Sequence, residues 1–570
     1  MTATSTAQLV RVAALDDVRR LGSLVAHAGG LTLALFAEGD RVYAVENRCP
    51  HMGFPLHRGT LRDGILTCHW HHARFDLASG GTFDLWADDA AVYPVELRDG
   101  DVWVDVAANG DPVEHQRRRL RDGLERNLSL VIAKAVISLD DAGAPPEGVV
   151  RIGLGFGTRY LAGGWNRGLT TLTCMANLLP RLRQEDRRRA LYHGLTDVAA
   201  ESAGSAPRFP ILPLPGETRG PEAYRRWFRQ FVAVRDEEGA ERCIVSAVRA
   251  GVSPTQLADL LFAAATDYRY VTSGHLLDFA NKALEALDLV GWEHAELVLP
   301  SLAGGVASGD RMEEANSWRN PVDVVALVEE AAEGLPSVLA GARRAWSGRE
   351  ALADLVLGDD PRASIDAILA ALGAGADSVE VAGAVADAAV MRVARFHTSN
   401  EFSDWDRALH TFTFANAVQQ GLRRAPSVEL ARGILDGAMS VYLDRFLNVP
   451  PAKLPERNGD ADLAELPQLL DRQQQVNEAG ALVASYLGGS GDPDALIAEL
   501  AGALLREDRN FHTIQMVEAA VRQWGDTHDP VTLVAAARYL AAHAPTARAQ
   551  GQTFSIAQRL QRGERLYEEL

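Results

Sequence analysis

The 570 residues predict a multidomain protein: an N-terminal all-β domain over residues 1–108, then a large all-α helical domain over residues 116–570. Three observations carry that expectation. Residues 30–106 read as strands separated by tight glycine-bearing turns. The stretch Asn109-Gly110-Asp111-Pro112 then ends the pattern, and beyond it the text is rich in alanine and leucine at helical spacing. A chain of this length also exceeds the ~250–300 residues at which one core divides.

Taken in order, residues 31–36 and 41–45 flank Glu38-Gly39-Asp40 as a first hairpin, and residues 93–97 and 102–106 flank Asp99-Gly100 as a last one. In the helical part, Ser253-Pro254-Thr255-Gln256 is a capping box with proline at the first helical position, followed by apolar Leu257, Leu260, Leu261 and Ala264. Two Pro/Gly-rich interruptions, residues 205–221 and 448–467, read as long loops. No fixed-period repeat is present. The run Gly153-Leu154-Gly155-Phe156-Gly157 lacks the dinucleotide spacing G-x-G-x-x-G, so no nicotinamide or flavin site is expected.

The net charge of −19, with acidic residues spread along the chain and no basic run, argues against nucleic acid or anionic lipid as a partner. Small molecules and proteins are the expected partners. No basic segment precedes an apolar one at the amino terminus, and nowhere do eighteen apolar residues run together, so a cytoplasmic protein without a membrane span is expected. Of four cysteines, two fall in a metal-ligand pattern; Cys174 and Cys243 are expected as buried thiols, with no disulfide. Among the 57 basic residues only Lys134, Lys282 and Lys453 are lysines.

The metal-ligand pattern is Cys49-Pro50-His51-Met52-Gly53, sixteen intervening residues after His51, and Cys68-His69-Trp70-His71. Two loops each offer one thiolate and one imidazole. A zinc finger pairs cysteine with cysteine and histidine with histidine, whereas here each half is mixed. Thiolates suit ferric iron and sulfide, and two neutral histidines on one iron raise the reduction potential. Residues 30–106 resemble the Rieske ferredoxin family, including Ala73-Arg74-Phe75-Asp76 and Trp86-Ala87-Asp88-Asp89. The resemblance implies a β-sandwich with a [2Fe-2S] cluster on Cys49, His51, Cys68 and His71. The additional disulfide cysteines of respiratory-chain Rieske proteins are missing, which points to the ferredoxin or oxygenase branch. His57, His69 and His72 read as solvated loop histidines.

A Rieske domain heading a long chain also resembles the α subunit of ring-hydroxylating oxygenases, but their Asp/Asn-x-x-His-x4-His motif is missing. The helical part instead carries His193, His275, His410 and His512 on separate stretches of helix-like text. A lone histidine on an apolar helix face is ordinarily a satisfied core residue; four on separate helices weaken that reading, because imidazoles converging inside a bundle hold non-haem iron. His397, followed by Glu401, Asp404 and Asp406, ranks fifth as a ligand. His294, His528 and His543 read as surface residues near helix ends.

Residues 150–565 are similar to the questin oxidase-like family at His193 with Arg208-Phe209-Pro210, Gly274-His275 through Leu289-Val290-Gly291-Trp292, His410 through Phe414-Ala415-Asn416-Ala417, and Phe511-His512-Thr513. That resemblance implies oxidation of anthraquinone-like polyketides, in some members through an iron bound by several histidines and a modified lysine. Lys282 stands seven residues, about two helical turns, after His275 and so shares its face. A desolvated lysine has a lowered pKa and forms a carbamate, an anionic oxygen ligand. The expected function is a Rieske-type oxygenase passing electrons from the [2Fe-2S] cluster to a mononuclear Fe(II), with an external reductase or ferredoxin as donor, and an aromatic substrate and O2 as reactants. The alternative is an electron-transfer protein whose helical domain is a non-catalytic docking scaffold.

Overall fold

The computed structural model describes residues 8–107, 111–161, 163–271, 273–457, 459 and 461–567. Contacts divide the chain into two compact units, Met1–Pro145 with Gln552–Leu570, and Pro146–Gly551.

The first unit is built on three antiparallel sheets. Strands β1 (Leu9–Ala14), β9 (Val95–Arg98) and β10 (Asp101–Asp105) form one, in the order β1-β10-β9. Strands β2 (Ser23–Ala28), β3 (Leu31–Glu38), β4 (Arg41–Glu46) and β8 (Val92–Tyr93) form the second, and β5 (Thr60–Arg62), β6 (Ile65–Thr67) and β7 (Arg74–Asp76) the third. Successive side chains of a strand point to opposite faces, and β3 buries both. Leu33 and Leu35 join Val18, Ala44, Val102 and Val104 in one core. Ala34 and Phe36 join Val45, Leu56, Leu66 and Phe75 in a second core that also contains Cys49 and Cys68. The uninterrupted apolar run of β3 therefore marks the strand shared by both layers.

Helix Pro112–Glu125 begins four residues before the expected residue 116, with Asp111 accepting from the Val113 and Glu114 N–H groups and proline at its start. The helical domain expected from residue 116 onward is divided differently by the contacts, which group helices Pro112–Glu125 and Ser129–Asp141 and the C-terminal residues with the β-sheets. Specific polar contacts explain this. Buried Arg119 donates to the Ala87 carbonyl at 2.8 Å and pairs with Asp88 at 2.6 Å. Arg48 donates to the Leu560 carbonyl, and the Tyr567 ring lies 5.3 Å from Phe54 and 5.8 Å from Trp70.

The second unit is helical. Its predicted capping box forms, with Ser253 accepting from the Gln256 N–H and the Gln256 side chain accepting from the Ser253 N–H. Gly153 and Gly157 lie within helix Pro146–Tyr160, where a Cβ would come within 2.6 Å of Leu172 and Leu195 and within 2.5 Å of Leu169. This glycine run is a helix-packing face. Residues 205–220 form no helix or strand, and among the described residues the 448–467 stretch holds only the short helical turn Leu463–Glu465 and the first residues of helix Leu466–Leu470. Among the described residues no helix is long and apolar enough to cross a membrane.

Candidate metal centres

The two cysteine-histidine loops of the first unit are folded alike. In one, the Cys49 N–H donates to the Phe54 carbonyl at 2.7 Å and the Gly53 N–H donates back to the Cys49 carbonyl at 2.8 Å. In the other, the Cys68 N–H donates to the Ala73 carbonyl at 2.8 Å and the His72 N–H to the Cys68 carbonyl at 3.0 Å. The fifth position of each loop is left-handed, Gly53 at φ 83° and His72 at φ 62°. Glycine takes that conformation freely, whereas histidine is strained there.

Both thiols are free and buried, and each lies within hydrogen-bond reach of the other. That shared contact pulls Cys68 down to about 6, whereas the Cys68 hydrogen bond and then burial raise Cys49. The His51 and His71 rings meet edge to face, 4.8 Å between centroids. Burial, with Lys134 and His71 nearby, lowers His51 to about 4, which keeps it a neutral imidazole. Its Nδ1 is buried without a hydrogen-bond partner. Two thiols and two imidazoles, one of them with an orphaned nitrogen, fit the donor set of a Rieske cluster. Trp86 and Trp70 wall the imidazoles at 4.5 Å from His51 and 4.3 Å from His71. Lys134, on helix Ser129–Asp141, donates to the Pro50 carbonyl at 2.7 Å and to the His51 carbonyl.

In the helical unit, His275 opens helix Ser273–Val290, His410 lies within Phe402–Arg424, and His512 is the second residue of Phe511–Thr527. One ligand nitrogen from each lies within 4.8 Å of the others. His410 Nε2 and His512 Nε2 are 3.0 Å apart, and the His275 and His410 ring centroids 4.4 Å. Burial lowers His275 to about 4 and holds His410 well below the usual histidine range. His275 Nδ1 is buried without a hydrogen-bond partner. Phe279 and Phe511 flank the His275 ring at 5.1 and 5.6 Å.

Sequence reasoning missed the residues behind this trio. Asp406 Oδ2 lies 3.3 Å from His512 Nδ1, and Asp406 also accepts from the Tyr539 hydroxyl. Burial opposes its charge, but hydrogen bonds from His512, His543 and Tyr539 hold its carboxyl well below the usual carboxylate range. Asp406 precedes His410 by four residues on one helix, and that spacing is the signal that could have found it. His543, read as a surface residue, has a side chain only 9% exposed and a nitrogen 3.5 Å from Asp406.

Three expected ligands lie outside the trio. His193 is buried on helix Gln184–Ser202, pushed down to about 3 by burial and Arg189, and is absent from the metal-sized grouping. His397 lies in the turn between two helices, where its Nδ1 meets the Ser399 hydroxyl at 2.8 Å and accepts from the Ser399 N–H at 3.1 Å. Lys282 is buried, 3.0 Å from Glu285 and 2.6 Å from Glu518. Burial alone would lower its pKa, but the two carboxylates raise it, so the amine stays an ammonium rather than the neutral base a carbamate needs.

The Rieske [2Fe-2S] domain family matches residues 8–94. The chain is 36% identical over 76 residues to the 3-phenylpropionate/cinnamic acid dioxygenase ferredoxin subunit of Shigella flexneri serotype 5b (strain 8401), an alignment covering 13% of this chain and 72% of that protein. It is 37% identical over 72 residues to the vanillate O-demethylase oxygenase subunit of Pseudomonas sp. (strain ATCC 19151), covering 12% of this chain and 22% of that protein. A solved structure, the ferredoxin of carbazole 1,9a-dioxygenase from Nocardioides aromaticivorans IC177, is 27% identical and covers 17% of this chain and 96% of that one, at a TM-score of 0.16. Through residues 8–94 the chain belongs to the Rieske [2Fe-2S] domain family.

Proposed function

We propose that this protein is a Rieske-type oxygenase in which a [2Fe-2S] cluster on Cys49, His51, Cys68 and His71 relays single electrons to a mononuclear iron on His275, His410 and His512, for oxidation of an aromatic substrate with dioxygen. The observation that carries the reading is the convergence of three imidazoles within 4.8 Å, in the same chain as the Rieske loops. When bound, such an iron supplies the redox chemistry that activates dioxygen. The chain's own residues prepare the site. Burial keeps His275 and His410 neutral, so their lone pairs are free to bind. Asp406 fixes the ring and tautomer of His512 from behind, as carboxylates do for metal-bound histidines. Phe279 and Phe511 keep water from one side of His275. The dioxygenase ferredoxin subunit and the O-demethylase oxygenase subunit among the relatives serve chemistry of this class, and an external reductase or ferredoxin supplies the electrons.

One observation favours the second reading, a docking scaffold without metal: the His410 to His512 contact at 3.0 Å is also satisfied by one imidazole donating to the other. Iron analysis separates the two. An oxygenase binds three irons per chain and His410→Ala lowers the count to two while the cluster's electron paramagnetic resonance spectrum is unchanged. A scaffold binds two irons in both proteins.

A further inference from the structure

Two stripes of polar side chains face each other inside the helical unit. One runs along helix Ser273–Val290 as His275, Asp278, Lys282 and Glu285, the other along helix Phe511–Thr527 as His512, Gln515, Glu518 and Arg522. Steps of three and four residues keep each stripe on one face of its helix. The stripes meet rung by rung. The His275 and His512 rings stack with centroids 5.6 Å apart, and Gln515 Nε2 donates to Asp278 Oδ2 at 2.6 Å. Lys282 Nζ donates to Glu518 Oε2 at 2.6 Å, and Arg522 pairs with Glu285 at 3.1 Å. Residue numbers climb together on both sides, so the two helices run in the same direction. Asn177, on helix Arg167–Leu178, donates to Glu285 at 2.7 Å and to Glu518 at 2.9 Å and ties the last two rungs together. Asp278, Lys282, Glu285, Gln515 and Glu518 are all buried.

We propose that Lys282, Glu518, Glu285 and Arg522 are positioning residues that lock the axial register of these two helices and thereby bring His275 and His512 to the height of His410, where three imidazoles share one metal ion. The inference rests on the trio being a metal site, as proposed above; it does not require that the metal be iron. Apolar side chains pack about as well one turn along, whereas a buried charge parted from its partner is strongly destabilising, so polar rungs select one register. A slip of one turn is ~5.4 Å. In one direction it sets Asp278 opposite Glu518 and Lys282 opposite Arg522, like charge against like. In the other it sets Lys282 opposite the neutral Gln515, and Glu285 opposite Glu518. Only the observed register gives Lys282 and Arg522 a carboxylate each from across the gap. Metal to imidazole bonds of ~2.0–2.1 Å leave no tolerance for such a slip, which takes His512 out of reach of an ion held by His275 and His410.

The test uses the full-length, cluster-loaded protein with zinc(II) as the probe. Lys282→Met/Glu518→Met replaces the central rung by apolar side chains of similar length, while Glu285 keeps Arg522, Asn177 and Asn281 as partners. Such a replacement of a buried ion pair is often neutral or stabilising, so the urea midpoint of the helical signal is expected to hold or rise. Zinc at the trio is read by competition with a chelator and assigned by its loss in His410→Ala. The double variant is expected to bind it at least about tenfold more weakly, the low end for losing a group that holds a metal-bound histidine. Glu518→Gln, which keeps the shape and removes the charge, is expected to act in the same direction and is read alone where the double variant does not fold. Arg225→Met/Asp259→Leu removes an ion pair away from the ladder, 2.7 Å between helices Pro221–Ala233 and Pro254–Thr266, and is expected to leave zinc affinity unchanged. Unchanged zinc affinity in the central-rung variants, an equal loss in the off-ladder variant, or no zinc at the wild-type trio would each overturn the proposal. Iron is counted on the same samples. Two irons per chain with the zinc result as expected would remove the iron reading and leave the lock; three irons with zinc affinity indifferent to the central rung would remove the lock alone.

Discussion

Lys134 is one of three lysines among the 57 basic residues, and its contacts give a reason. A compact ammonium on a flexible stem reaches the adjacent carbonyls of Pro50 and His51, whereas a planar guanidinium spreads its donors over a wider fork. The ammonium places a positive charge on the backbone of a cluster loop. An electron arriving at the cluster makes it more negative, so Lys134 stabilises the reduced form; Lys134→Met is expected to lower the midpoint potential in a redox titration, while cluster content is retained. At the other centre, Asp406→Asn replaces an ionised acceptor behind His512 with an amide. Loss of such a partner typically costs about 10–100-fold in metal affinity, and competition with a chelator for the third iron is the measurement. The cluster ligands stood out in the sequence because two short loops carry them, each spacing fixed by local backbone. The charge of Lys282 is set by Glu285, three residues on and legible in the sequence, together with Glu518, 236 residues away, which reaches it only in the folded chain.

At the scale of elements, helix packing decides which histidines meet. The periodicity around His193, His275, His410 and His512 reveals that each sits on a helix, but which helices face each other at those heights is set by packing between distant segments. Three converge and His193 does not. Gly153 shows the same effect: its spacing did not fit a dinucleotide site, and packing gives it a role against Leu172 and Leu195. Gly153→Val is expected to destabilise the helical unit by about 1–3 kcal/mol through overpacking, measured as a shift in urea midpoint by far-ultraviolet circular dichroism. In the β unit, Arg119 links its helix to Asp88 and Ala87. Its side chain is only 6% exposed and that of Asp88 19%, so Arg119→Ala takes the guanidinium from a mostly desolvated carboxylate and leaves it only His115, 3.5 Å away, as a cationic partner. A cost of about 3 kcal/mol, the lower end for a broken buried pair, is expected in unfolding followed by the cluster's visible absorbance.

Over the whole molecule, the β unit is assembled from both ends of the chain and the helical unit is spelled by the stretch between them. The expected boundary near residue 108 follows the end of strand-like text. Recruitment of the next two helices and of residues 552–567 was illegible there, because Arg48, Arg119 and Lys134 look like ordinary surface cations until their carbonyl partners are known. Removing residues 552–570 is expected to lower the temperature at which the cluster absorbance is lost, with the third iron retained. A chain ending at residue 551 whose cluster bleaches at the wild-type temperature would show that those contacts contribute no stability. The same division sets an order of events on the ribosome. Residues 1–145 emerge first yet lack Leu560 and Tyr567 until the intervening helices have been made. At ~5–20 residues per second that interval is on the order of 20 to 80 s. During it the contacts of Arg48 with Leu560 and of Tyr567 with Phe54 and Trp70 cannot form, so the unit that bears the cluster loops is completed only after the helical stretch has been made.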